Sequence, residues 1–251
     1  MKRLVASWFF VLWLVHPVSA DLYFLGIAVD RFPEKRQSNS SIRDYDFYAL
    51  NMQKVIVDKG SSLRKVHSKV ILGEKATRTE VMDAIKNLKE KTTEKDVVIL
   101  YISAHGAPNL KKKGFGICLA EFKAKDAENT ALWSKDLKED FGSVKGQLIL
   151  IIDTCSSGSF LEDNQTGDMA VICASKHKEA AYGTLCKVLV DGLHGQASRN
   201  GGVHLQDLAE YTRKQVTYQS IMSHTKKLQD NVEHPVFYIP KSMSQLILTK
   251  P

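Results

Sequence analysis

The chain has 251 residues, 43% of them hydrophobic, and a formal net charge of +7 at neutral pH. One α/β domain can reach this length. The positive excess is modest and dispersed, and no aromatic residues are interleaved with its densest run, the lysines at 111–113. The composition therefore gives little support to nucleic-acid binding.

The first twenty residues have the order typical of a signal peptide. Lys2 and Arg3 are followed by an apolar stretch at 4–15, and small residues at Val18 and Ala20 occupy the positions that a signal peptidase reads. The apolar stretch is short for a membrane span, and an uncleaved anchor is the alternative interpretation. We expect residues 1–20 to be cleaved off, which gives an exported protein, periplasmic or secreted, with no membrane attachment.

From residue 21 to residue 251 the sequence predicts a single domain in which strands and helices alternate. A capping box at 77–80 marks the start of the second helix, with Thr77 accepting from the amide of Glu80 and the Glu80 side chain reaching back. The pattern predicts strands at 22–29, 65–72, 96–104, 147–154, 169–174 and 234–239, a hairpin arm at 115–122, loops at 30–41 and 160–167, and helices at 42–57, from 77, at 132–141, 184–193 and 205–216. This order is typical of an α/β three-layer sandwich, with a mainly parallel six-stranded sheet between two layers of helices.

Two of these strands end in residues that carry chemistry. The apolar run at 96–104 leads into His105 and Gly106, and the run at 147–154 leads into Cys155. Ligands of open α/β sheets bind at the carboxyl ends of the strands, so neighbouring strands would bring the histidine and the cysteine together. A thiol and an imidazole in one crevice are the minimal parts of a nucleophilic hydrolase.

We interpret Cys155 as the nucleophile and His105 as the general base that later protonates the leaving amine. The alternatives are a buried structural thiol and a surface histidine. Cys118, Cys173 and Cys186 lie in apolar segments and are interpreted as small buried hydrophobic residues, although export would permit a disulfide. No histidine or cysteine spacing resembles a zinc site, and we expect no metal and no cofactor.

The two strand ends resemble the caspase fold, and within it the bacterial group called orthocaspases or metacaspase-like proteins. The matching motifs are YISAHG at 101–106 and DTCSSG at 153–158, with support from ATR at 76–78 and VICAS at 171–175. The resemblance covers essentially the whole chain after the signal. It implies a caspase-like three-layer sandwich and a cysteine endopeptidase that works through an acyl-enzyme. A non-catalytic or self-processing module with a regulatory or binding role is the alternative.

The resemblance also implies roles for individual residues. The amides of Gly106 and Cys155 would form an oxyanion hole, and Asp153 would line a pocket for an Arg or Lys side chain. Asp46 is a second candidate for that pocket. True caspases accept acidic residues through arginines, and no arginine lies near either strand end, so we expect protein or peptide substrates with Arg or Lys before the cut. Calcium activates some relatives, but its site cannot be placed in this chain. We expect a monomer.

Overall fold

The computed structural model describes residues 20–29, 45–108, 114–163, 166–223 and 232–250. Most of the predicted signal peptide and the whole of the predicted loop at 30–41 lie outside these ranges. The strands are β1 (Leu22–Ala28), β2 (Val66–Leu72), β3 (Val97–Ser103), β4 (His105–Ala107), β5 (Gly116–Cys118), β6 (Ala131–Trp133), β7 (Gln147–Asp153), β8 (Ala170–Cys173), β9 (Val203–His204), β10 (Val236–Tyr238) and β11 (Ile247–Thr249). The α-helices are α1 (Tyr45–Gly60), α2 (Arg78–Lys91), α3 (Ala127–Thr130), α4 (Ser134–Gly142), α5 (Ser159–Asp163), α6 (Thr184–Asp191) and α7 (Leu205–Ser223).

Six strands form the central sheet in the order β10-β8-β7-β3-β1-β2. All neighbouring pairs are parallel except β10, which runs antiparallel to β8. The two strands that precede His105 and Cys155, β3 and β7, are adjacent, and their last residues, Ser103 and Asp153, are paired in register. The predicted mainly parallel six-stranded sheet is confirmed, and its carboxyl edge brings the two predicted chemical groups to neighbouring positions.

Helices cover both faces of this sheet. Alternate residues of β3 point to opposite sides, so Val98, Leu100 and Ile102 pack in one core with α2 and α4. Ile99 and Tyr101 pack in the other core with α1, α6 and α7. Strands that are buried on both faces must be apolar throughout, which explains the continuous hydrophobic runs in the sequence. The three-layer sandwich is therefore confirmed.

The capping box at the start of α2 forms only in part. The Thr77 hydroxyl accepts from the Glu80 amide at 3.2 Å, as predicted. The Glu80 carboxylate does not complete the box but pairs with Lys69 at 2.7 Å. The Thr77 amide donates to the Lys75 carbonyl instead. Lys69 on β2 thus binds the Glu80 carboxylate, and the second hydrogen bond of the capping box does not form.

Several boundaries differ from the sequence prediction. The predicted loop at 160–167 begins as α5, because Phe160 is fully buried and one helical turn seats it in the core. The predicted helix at 132–141 starts two residues late, since 131–133 form β6 of a small antiparallel sheet with β4 and β5. The helix predicted at 205–216 continues to Ser223, and β9 and β11 were not predicted. None of the helices described here is long and apolar enough to cross a membrane.

Candidate active site

The turn after β7 presents Cys155 in a tightly fixed backbone. Ser156, the next residue, has φ of 57°, a left-handed conformation that costs a non-glycine residue energy. The Ser156 amide donates to the Glu179 carbonyl at 2.7 Å, and the Gly158 amide donates to the Ser175 carbonyl at 2.8 Å. The segment that follows β8 therefore holds the strained turn in place, and a strained backbone held by its surroundings is common at functional sites.

His105 and Gly106 reach this turn from the neighbouring strand. The buried strand β3 ends at Ser103, and His105 begins the separate strand β4, which pairs with β5. A Cβ atom added to Gly106 would lie 2.2 Å from the Cys155 carbonyl oxygen and 2.5 Å from the Thr154 hydroxyl. No side chain fits between the two segments, so only glycine permits this approach. The histidine and the cysteine are thus held on two backbones in direct contact.

Residue Cys155 is half-buried, and its sulfur accepts a hydrogen bond from the Ala181 amide at 3.3 Å. The thiolate is the reactive form of cysteine. The thiol also lies 3.8 Å from the Ala181 carbonyl oxygen, so the backbone of one residue fixes the position of the sulfur. No pattern in the sequence pointed to Ala181, because a backbone donor leaves no trace in residue type.

The Tyr45 ring, at the start of α1, lies beside the His105 ring. The ring centroids are 5.9 Å apart and the planes are nearly perpendicular, at 83°. Perpendicular contacts of this kind are favourable between aromatic rings. The hydrophobic spacing of α1 indicated a buried face there, and it gave no sign that this residue would meet the histidine.

Asp153 is buried at the end of β7, two residues before the cysteine, with 3% of its surface exposed. The Tyr101 hydroxyl donates to its Oδ2 at 2.9 Å. Burial, and then the charge of Asp153, raises the pKa of Tyr101 well above its usual value, so the tyrosine stays neutral. The hydroxyl supplies a hydrogen bond to the carboxylate but no positive charge.

Asp46, the second predicted pocket residue, lies beside the turn that follows β2. Its Oδ2 is 3.7 Å from the position that a Cβ on Gly73 would take. Strand β2 is at the edge of the sheet, three positions from β7. The role of Asp46 in a pocket stays a prediction.

The other cysteines differ from Cys155 in their surroundings. All four cysteines are thiols, and Cys118, Cys173 and Cys186 are buried. Burial raises the pKa of Cys173. Burial and the nearby charge of Asp153 raise the pKa of Cys186. Within the described ranges, no group of three or more His, Cys, Asp or Glu side chains is placed to hold a metal ion.

The chain is similar to known proteins in its sequence profile and in its fold. The sequence profile of the Peptidase C13 family matches residues 48–249. The chain belongs to the Peptidase C13 family. No curated protein sequence matches it at a significant level.

Two solved structures show the fold that this C13 member shares. A Geobacter sulfurreducens protein solved as a structural genomics target has a TM-score of 0.59 and 14% identity, with 92% of this chain and 99% of that chain covered. The Drosophila initiator caspase Dronc has a TM-score of 0.58 and 9% identity, with 90% and 82% covered. The predicted caspase fold and membership of a caspase-like cysteine peptidase family are confirmed. The narrower placement among orthocaspases stays a prediction.

Proposed function

We propose that this chain is an exported cysteine endopeptidase in which His105 and Cys155 form a catalytic dyad that cleaves after Arg or Lys. The contact between Gly106 and the Cys155 backbone is the observation that carries the proposal, since it fixes both predicted residues at one edge of the sheet. Membership of the C13 family supports the peptidase class.

The chemistry follows from these positions. The Cys155 thiolate attacks the scissile carbonyl carbon, and the carbonyl electrons move onto oxygen. The amides of Gly106 and Cys155 stabilise that oxyanion. As the C–N bond breaks, His105 gives its proton to the leaving amine. Water, deprotonated by His105, then hydrolyses the thioester and regenerates the thiolate.

Alanine substitutions test the dyad. We expect Cys155→Ala and His105→Ala each to abolish peptide hydrolysis without unfolding the protein. Residues that act as a unit do not lose activity additively, so the double variant should be no worse than either single one. Cys173→Ala and His194→Ala, a buried cysteine on β8 and an exposed histidine, serve as matched controls that keep activity. Substantial turnover by either dyad variant would refute the assignment.

The preference for a basic residue rests on Asp153. The carboxylate lies two residues from the nucleophile and is buried at the carboxyl end of β7. A guanidinium can pair with a carboxylate through two parallel hydrogen bonds, so Arg should be preferred to Lys. An acidic side chain would be repelled.

A peptide panel that varies only the residue before the cut, with Arg, Lys, Asn and Asp, tests this pocket. Removing one partner of a buried pair costs about 3 kcal/mol, or roughly a hundredfold in rate. Asp153→Asn should therefore reduce kcat/KM on Arg about a hundredfold and change turnover of the Asn peptide little. Asp58→Asn, an exposed carboxylate on α1, is the control. Best turnover after Asn or Asp would show that the pocket assignment is wrong.

Export is tested separately by the start of the mature chain. N-terminal sequencing of protein recovered from the periplasm or medium should read Asp21 first. Material that begins at Met1, or protein confined to the cytoplasm, would contradict the export part of the proposal and leave the dyad untouched.

A further inference from the structure

A buried carboxylate faces the peptide bond at which the signal peptide would be cleaved. The backbone nitrogen of Asp21 donates to Oδ1 of Asp96 at 2.8 Å. Asp96 is only 4% exposed and lies directly before β3. Charged groups are rarely buried to this degree unless they are paired.

The rest of the Asp96 carboxylate is already bound by neutral donors. Its Oδ2 accepts from the Thr93 amide at 2.7 Å and from the Thr93 hydroxyl at 2.9 Å. These contacts orient Oδ1 toward Asp21. The carboxylate is thus fixed, with one oxygen turned to the start of β1.

The Asp21 nitrogen is also fixed, by bonds on its own residue. The Asp21 carbonyl accepts from the Val97 amide at 2.9 Å, which joins the residue to the sheet. Its carboxylate points elsewhere, to Nε2 of His67 at 2.9 Å. The backbone nitrogen therefore needs no rearrangement to meet Asp96.

We propose that cleavage after Ala20 converts this contact into a buried ion pair between the new α-amino group of Asp21 and Asp96. The inference rests on the proposed export. Hydrolysis adds water across the Ala20–Asp21 bond, so Ala20 leaves as a carboxylate and Asp21 keeps the nitrogen as an ammonium. The single amide N–H becomes three N–H donors that carry a positive charge. A charge-assisted hydrogen bond is about twice as strong as a neutral one.

The pair joins the starts of two central strands. Strand β1 lies between β2 and β3, and β3 leads to His105 at its other end. Removal of the signal would therefore stabilise the sheet that carries the dyad. The chain that starts at Asp21 is the more stable form, and the uncleaved precursor is the less stable one.

A thermodynamic cycle on four purified chains tests this pair. The chain starts either at Asp21 or one residue earlier at Ala20, released from a cleavable fusion, and each start is made with Asp96 intact and with Asp96→Asn. We expect the Asp21 start to raise Tm by about 3–8 °C over the Ala20 start. In the Asp96→Asn background the two starts should differ by less than about 1 °C.

Acetylating the α-amino group of the Asp21 chain removes the charge without adding a residue, and it keeps the test valid if Asp96→Asn fails to fold. Acetylation should erase the gain in Tm. Equal Tm values for the two starts, or a gain that survives acetylation, would overturn the ion pair. An exported chain that begins at a residue other than Asp21 would also overturn the ion pair, because its α-amino group would not lie on the nitrogen that meets Asp96. Uncleaved or cytoplasmic protein would refute the export proposal, and neither outcome bears on the dyad.

Discussion

A methyl group on Gly106 tests the contact that holds the two halves of the site together. In Gly106→Ala the new Cβ would sit 2.2 Å from the Cys155 carbonyl oxygen. Carbon and oxygen atoms in contact need about 3.3 Å or more, so one segment must move by roughly 1 Å. A displacement of that size can cost about a hundredfold in rate, and loss of one oxyanion donor costs a similar amount. We expect kcat/KM to fall at least about a hundredfold.

The assay compares kcat/KM on an Arg peptide with Tm for the same preparations. Gly142→Ala is the matched control, because a Cβ there meets no atom within 4 Å. The control should keep wild-type activity and Tm. Overpacking in Gly106→Ala should lower Tm by several degrees while leaving a cooperative transition. A folded Gly106→Ala protein with activity within threefold of wild type would refute the reasoning.

Three further predictions concern single residues of the site. Iodoacetamide at neutral pH should alkylate Cys155 first, because burial raises the pKa of Cys173 and Cys186 and keeps both thiols protonated. Peptide mapping that finds either buried cysteine modified first would contradict this prediction. Ser156→Gly should leave Tm nearly unchanged, whereas Ser156→Val should lower Tm by at least about 2–4 °C, since a β-branched residue tolerates φ of 57° poorly. Equal melting curves for the two variants would argue against backbone strain at this position. Tyr45→Phe should keep kcat/KM, and Tyr45→Leu should reduce it roughly two- to tenfold through loss of the ring contact with His105. A folded Leu variant with wild-type kcat/KM would remove Tyr45 from the site.

The centre of the sheet was predictable because strands β3 and β7 are buried on both faces. Continuous apolar runs such as 97–103 and 147–153 are typical of strands buried in a parallel sheet. Because strands alternate with helices along the chain, the strands run parallel and their carboxyl ends lie at the same edge of the sheet. The same argument predicted that His105 and Cys155 would be neighbours. Gly106 was predictable as a point of close approach, although the sequence could not show how little room it has.

Other parts of the site depend on contacts distant in sequence, which residue patterns do not encode. Ala181 contributes a backbone amide, so its side chain carries no signal. In the sequence, Tyr45 looks like an ordinary core residue. Only the folded structure shows that its ring contacts the His105 ring. The bond of Glu80 to Lys69 in place of a closed capping box has the same origin, a partner on a different element.

Covalent labelling with a peptide acyloxymethyl ketone tests the central claim most directly, because the reagent requires an activated thiolate and a matching pocket. Matched probes carry Arg, Asn or Asp before the ketone, and intact mass and peptide mapping locate the adduct. We predict one equivalent on Cys155, fastest with the Arg probe, with labelling lost in His105→Ala and slowed in Asp153→Asn. No adduct on Cys155 with any of the probes would contradict the dyad, and fastest labelling by the Asp or Asn probe would contradict the basic pocket.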